Sequence, residues 1–130
     1  MKKAIALLLA LVMVFALCAC GGGGDSASGD KVVKIGVFEP ASGDSGAGGK
    51  KEMLGMQYAN QETPTVEIGG ETYKVELVYS DNGSDSAKAV SAASKLVNEK
   101  VSLVLGSYGS GVSIAASDTF KQAGIPAIGV

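Results

Sequence analysis

The sequence contains no histidine, no arginine and no tryptophan, and only two cysteines and three prolines in 130 residues. Each absence removes a class of chemistry. Without histidine, a serine nucleophile has no imidazole to take its proton. Without arginine, and with 13 Asp plus Glu against 11 lysines, the chain lacks the clustered positive charge that phosphodiester backbones require, which excludes nucleic acid as a partner. The acidic residues fall in no metal-loop spacing, so neither a metal nor a cofactor is expected.

A membrane-spanning run is also missing. The longest apolar stretch, Ala4 to Ala16, falls short of the ~20 residues a bilayer requires. With Lys2 and Lys3 before it and a small-residue site after it, the segment reads as a secretory signal peptide. Leu17, Cys18, Ala19 and Cys20 resemble the bacterial lipobox. That resemblance implies a lipoprotein signal over residues 1–19 and lipidation of Cys20, which becomes the first residue of an extracytoplasmic chain anchored to the cell membrane. Cys18 then leaves with the signal and Cys20 is consumed by lipid, so no disulfide, thiol nucleophile or thiolate metal site is left. Gly21 to Asp30, "GGGGDSASGD", is a glycine- and serine-rich tether whose mean reach is roughly 17 Å. Residues 20–31 are accordingly lipidated cysteine and linker.

From Lys31 the texture changes to short apolar runs alternating with helical segments. "VVKIGVF" (Val32 to Phe38) is β-branched and nearly continuous, as a strand buried on both faces would be. Glu52 to Asn60 predicts a helix with Met53, Leu54, Met56, Tyr58 and Ala59 on its apolar side. "VEIGGETYKVELVYS" predicts two strands turning through Gly69-Gly70, with Val75 to Tyr79 in the main sheet. A second helix follows, with Asp81, Asn82, Ser84 and Asp85 able to cap it and Ala87, Val90, Ala93, Ser94 and Val97 facing inward. "VSLVLG" is another buried strand. The third helix places Val112, Ala116, Phe120 and Ala123 inward and stops at Gly124, before "IPAIGV" opens a further strand. Strand, loop and helix in this repetition predict an α/β fold, a Rossmann-like layer with a parallel sheet and right-handed crossovers. Ligands of such sheets sit beyond the carboxyl ends of the strands. The glycine loops Ala41 to Gly49 and Gly106 to Gly111 both fall at that edge.

Two borrowed signatures overlap in the first loop, "EPASGDSGAGGKK". Gly43-Asp44-Ser45-Gly46 matches the surroundings of a serine-protease nucleophile, but the base is missing and the motif follows a strand of an α/β pattern. A phosphate loop would need glycine where Asp44 stands and a hydroxyl residue where Lys51 stands. No enzymatic role is therefore expected. The second loop, "LGSYGSGVS", brings Ser107, Ser110 and Ser113 and the N–H groups of Gly109, Ser110 and Gly111 to a helix start. Such a start carries partial positive charge and unpaired donors, and it can hold a carboxylate without arginine. Two roles for Ser110 stand side by side: helix capping, and contact with a ligand that the glycines allow to approach. Asp81 is open to the same two roles, and Tyr108 could cover an apolar ligand or pack on the neighbouring loop.

"KIGVFEPASGDSGAGGKKEMLGMQYAN", "VELVYSDNGSDSAKAVSAASKLVNEKVSLVLGSYGSGVSIAAS" and "FKQAGIPAIG" together resemble the amino-terminal third of the branched-chain amino-acid (leucine-type) binding proteins of ABC importers. The resemblance implies that residues 32–130 form part of the first lobe of a type I periplasmic-binding fold, with the second lobe absent and the sequence a fragment of a longer frame. It implies a ligand carboxylate held by Ser110, main-chain contacts from Tyr108 and Gly109, and Gly48 at the place where relatives often carry a tyrosine over the ligand. The implied function is capture of an amino acid, branched-chain or aliphatic, and its delivery to an ABC permease. The alternative is a ligand-sensing lipoprotein of the same fold that binds an amide, a polyol or another small solute.

Overall fold

The structure, a computed structural model, describes residues 31–130. The expected signal peptide, Cys20 and nearly all of the expected tether lie outside the described residues. Five strands and three helices follow in the order β1 (Val32–Val37), α1 (Gly46–Glu62), β2 (Thr65–Ile68), β3 (Glu71–Tyr79), α2 (Ser86–Asn98), β4 (Leu103–Leu105), α3 (Ser110–Ala123) and β5 (Ala127–Ile128). They form one sheet in the order β2-β3-β1-β4-β5. β1 pairs in parallel with β3 and with β4, and β4 pairs in parallel with β5. Only β2 runs antiparallel, as the returning arm of the Gly69-Gly70 hairpin. Both glycines have positive φ, 61° and 80°, which the tight turn demands and which glycine adopts without a Cβ penalty.

The period of two along the strands separates two faces. Val33, Ile35, Val75, Leu77, Leu103 and Leu105 turn toward α1, where they line an apolar cavity of about 640 Å³ together with Met56 and Ala59. Gly36, Phe38 and Val104 turn the other way, toward α2 and α3. A Cβ on Gly36 would lie 3.1 Å from side-chain carbons of Leu96 and Val104, so α2 packs close against β1 there. The main core occupies this second face: Ala89, Ala93 and Leu96 of α2 and Val112, Ala116 and Phe120 of α3 are buried with Phe38. Phe38 and Phe120 meet edge to face, with centroids 5.4 Å apart and planes at 87°, a geometry that adds to ordinary burial. Each such side chain removed from water stabilises the fold by roughly 1.5–3 kcal/mol.

Four local expectations change. The buried stripe of α2 runs through Ala89, Ala92, Ala93 and Leu96, whereas Ala87 and Val90 are exposed. The α2 face that meets α3 is lined by alanines, and these let the two helices approach closely. The first helix begins at Gly46, six residues earlier than predicted, and so absorbs the end of the first glycine loop. Leu54 and Tyr58 of α1 are exposed, at 63% and 65%, and the apolar side expected of that helix is only partly covered. Along β1 burial is confined to the carboxyl end.

The third helix ends as predicted, at Gly124 with φ 68°, a left-handed C-cap. Of its four expected inward residues, Ala123 alone is exposed.

Candidate functional site

The carboxyl ends of β1, β3 and β4 lie side by side, so the three loops that follow them are brought together at one edge of the sheet. Asp81 fastens the first two. Its Oδ1 accepts from the N–H groups of Ala41 (2.8 Å), Ser42 (3.3 Å) and Gly83 (2.8 Å), and its Oδ2 accepts from the Ser42 hydroxyl at 2.7 Å. Partial desolvation pushes this carboxyl up, but the hydrogen bonds from Ser42, Gly83 and Ala41 outweigh it and hold the group below its usual range. Asp81 is thus neither the cap of α2 nor a free site group. The cap is Asp85, whose side chain accepts from Ala87 N–H at 2.7 Å.

Asn82 joins all three loops. It is fully buried, and its amide nitrogen donates to the Phe38 carbonyl at 3.1 Å and to the Ser107 hydroxyl at 2.9 Å, while its Oδ1 accepts from Ser84 N–H at 3.0 Å. The glycines of the first loop serve this packing. A Cβ on Gly43 would collide with the Gly83 carbonyl and one on Gly49 with the Pro40 carbonyl, so these glycines permit close contact between backbones and cradle no phosphate. Ser45 stands at the N-cap position of α1, and its N–H donates to the Ser84 hydroxyl at 3.0 Å.

Between the loops lies a polar cavity of about 180 Å³. Four serines, Ser45, Ser84, Ser86 and Ser107, line it with Asn82, and Gly109 and Gly111 complete the α3 side. Ser86 opens α2 and Gly109 caps α3, so two helix N-termini converge on one small space. A Cβ on Gly111 would lie 3.7 Å from the Ser86 hydroxyl, which measures how closely the two ends approach. Hydroxyl donors and two positive dipole ends, with no charged side chain in the lining, suit a small anionic group such as a carboxylate.

The predicted residues take different places around this cavity. Ser110 is the first residue of α3 and exposed, beside the cavity but outside its lining. Gly109, and not Ser110, occupies the N-cap position; its N–H makes a 3.4 Å contact to the Ser107 hydroxyl. The Tyr108 N–H is already engaged, donating to Glu39 Oε2 at 2.8 Å. Its ring rests on Gly48, whose Cβ, if present, would sit 2.8 Å from two ring carbons. Cys20 lies outside the described residues. Ser107 was expected among the second-loop hydroxyls, whereas Asn82 and Ser84 were expected only as helix caps and Ser86 was not singled out. Their common signal was position, since each falls within a few residues of a strand's carboxyl end.

A mostly parallel sheet with a serine-lined cleft at its carboxyl edge, between converging helix N-termini, is the architecture of an α/β lobe. The family described as periplasmic binding protein matches residues 32–130, and the chain belongs to it. Among curated relatives, the Leu/Ile/Val-binding protein homolog 2 of Brucella abortus is 32% identical over 93 residues, 72% of this chain and 25% of that protein. Among solved structures, the branched-chain amino acid transporter substrate binding protein LivJ of Streptococcus pneumoniae, in complex with isoleucine, is 35% identical with a TM-score of 0.67, covering 76% of this chain and 28% of that one. An ABC transporter solute binding protein of R. palustris in complex with benzoate is 28% identical with a TM-score of 0.65, covering 75% and 27%. The chain spans about a quarter of the length of the relatives it matches.

Proposed function

We propose that this chain is part of the amino-terminal lobe of an extracytoplasmic solute-binding component of an ABC importer, which captures an aliphatic amino acid by its carboxylate and passes it to a permease. The serine-lined cavity between the N-termini of α2 and α3 carries the reading. Isoleucine and benzoate, the ligands of two structural relatives, have a carboxylate in common and little else. A site built from hydroxyls and helix ends suits that shared group, while the remainder of each ligand would be selected by other surfaces. The proposal includes the signal at 1–19, a lipid anchor on Cys20 with its tether to residue 31, and ligand contacts from Ser110, Tyr108, Gly109 and Gly48. It assigns no catalysis.

Thermal unfolding of the full-length protein with leucine, isoleucine, valine and benzoate tests the ligand. Binding raises stability by RT ln(1 + [L]/Kd), about 2.7 kcal/mol at a hundredfold excess over Kd. Stabilisation by the aliphatic amino acids is expected, stabilisation by benzoate alone would redirect the reading to aromatic acids, and no response to any of them would sink it. The anchor is tested separately: Cys20→Ser should move the protein from the membrane fraction to the soluble one.

A further inference from the structure

Glu39 is a carboxyl group where the fold offers it little solvation. It lies two residues past the end of β1, it is 1% exposed, and its Oε1 is buried without a hydrogen-bond partner. The other oxygen accepts the Tyr108 N–H at 2.8 Å. Glu52 of α1 is near enough for the two carboxyls to act on each other, and Glu52 Oε2 is likewise buried and unpartnered. Two carboxylates so placed would repel each other and leave two acceptors unsatisfied. One proton between them removes both penalties, because a protonated carboxyl donates where a carboxylate only accepts.

Position gives the pair its significance. Glu39 Oε1 stands where a Cβ on Gly106, whose φ is +116°, would clash with it, while Oε2 accepts from Tyr108 N–H two residues further on. The Glu39 backbone carbonyl also accepts Asn82 N–H at 3.4 Å. One side chain therefore fixes both sides of Ser107, the serine that joins Asn82 at the cavity wall. We propose that Glu39 and Glu52 share a single proton and act as a positioning pair, setting the β4–α3 loop, and with it the Ser107 and Ser110 ligand groups, in register with α1.

Burial is the main cause that pushes Glu39 up to about 7, with the Glu52 carboxyl adding to it and the Tyr108 N–H opposing it. The acting groups are thus one carboxyl on α1 and one N–H on the β4–α3 loop. Taking up the proton from solvent holds the loop, and losing it as pH rises through about 7 sets two charges against each other beneath it.

The ligand consequence rests on the function proposed above, but the pair itself can be tested without a ligand. In the full-length protein, carbon NMR of the glutamate carboxyls should show one group titrating near 7, and the Tyr108 amide resonance should move with the same midpoint. Glu52→Gln, whose amide can donate to Glu39, should lower that midpoint, while burial keeps it above the ordinary carboxylate range. Glu39→Gln should hold the fold, remove the transition and leave the Tyr108 amide flat in pH. Ordinary titration of both groups, or a Tyr108 amide indifferent to the transition, would overturn the proposal. With leucine as ligand, affinity should weaken several-fold from pH 6 to pH 8 in the wild type and stay constant in Glu39→Gln. If leucine fails to bind while the shared titration is seen, the pair stands and the proposed ligand falls.

Discussion

The ring of Tyr108 lies over Gly48, so close that a β-carbon on residue 48 would sit 2.8 Å from the Cε2 and Cζ atoms. The two residues come from different loops, and the contact explains why glycine occupies the third position of a helix. Tyr108 is still 53% exposed, so its ring forms an aromatic wall anchored on one side only.

Gly48→Ala should separate stability from binding. The added methyl displaces the ring, but a half-exposed side chain can swing aside, and alanine favours the helix over glycine by up to about 1 kcal/mol. Net stability should change by less than about 1 kcal/mol, while affinity for the ligand should change more. The cycle with Tyr108→Ala checks this, since the effect of the methyl on affinity should vanish once the ring is gone.

Asn82 should be costly to replace. Asn82→Ala leaves the Phe38 carbonyl and the Ser107 hydroxyl without their donor, for a loss of about 1–3 kcal/mol in denaturant unfolding. Asn82→Asp keeps the shape yet turns an acceptor toward the Phe38 carbonyl, and should be at least as damaging. The sequence placed Asn82 only among possible helix caps. Its hydrogen bonds at |i−j| of 44 and 25 depend on which strands become neighbours, information that local spacing does not contain.

Two carboxyls shape the pH dependence of stability with opposite signs. Asp81 is depressed in the fold, so its contribution is present above its unfolded value of 3.8 and is lost as pH falls through the folded value. Glu39 is raised, so its contribution is complete below 4.5 and is lost as pH rises through about 7. These groups place the maximum near pH 4–5, and the Glu39 limb amounts to roughly 3 kcal/mol. Unfolding midpoints from pH 3 to 8 check the shape. In Glu39→Gln the decline above pH 5 should flatten.

Ser86 tests whether the cavity is the site. It is exposed at the start of α2 and its hydroxyl faces Gly111 across the cleft, so Ser86→Ala should leave stability within about 0.5 kcal/mol. If the cavity holds the carboxylate, affinity should fall roughly ten- to a hundredfold, the worth of one hydrogen bond to a charged group. Ser110→Ala provides the comparison for the residue expected from the sequence.

The architecture was more legible than the site. Alternating apolar runs and helical segments identify β1, β3, β4 and α3 because their apolar residues are grouped as each kind of element requires. The face of α2 was misplaced because Val90, a strong apolar signal, is 48% exposed while Ala89 is fully buried. Close helix packing against α3 selects small residues there, and small residues carry little hydropathic contrast. Likewise the glycines at 43 and 49 belong to a loop that the sequence placed at the ligand edge of the sheet. They are held instead against the backbones of Gly83 and Pro40, and the first of these contacts joins segments far apart in sequence.

The direction of β1 bears on how the protein would stand at a surface. The strand starts at Val32, next to the tether, and delivers the chain to the cleft after Val37. Six residues at ~3.3 Å each put about 20 Å between those ends. Under the function proposed above, a lipid on Cys20 would pull on the end of the sheet away from the cleft, so the mouth would point outward, toward incoming solute, and the protein would have to pivot on its linker to present its cargo to a channel in the same membrane.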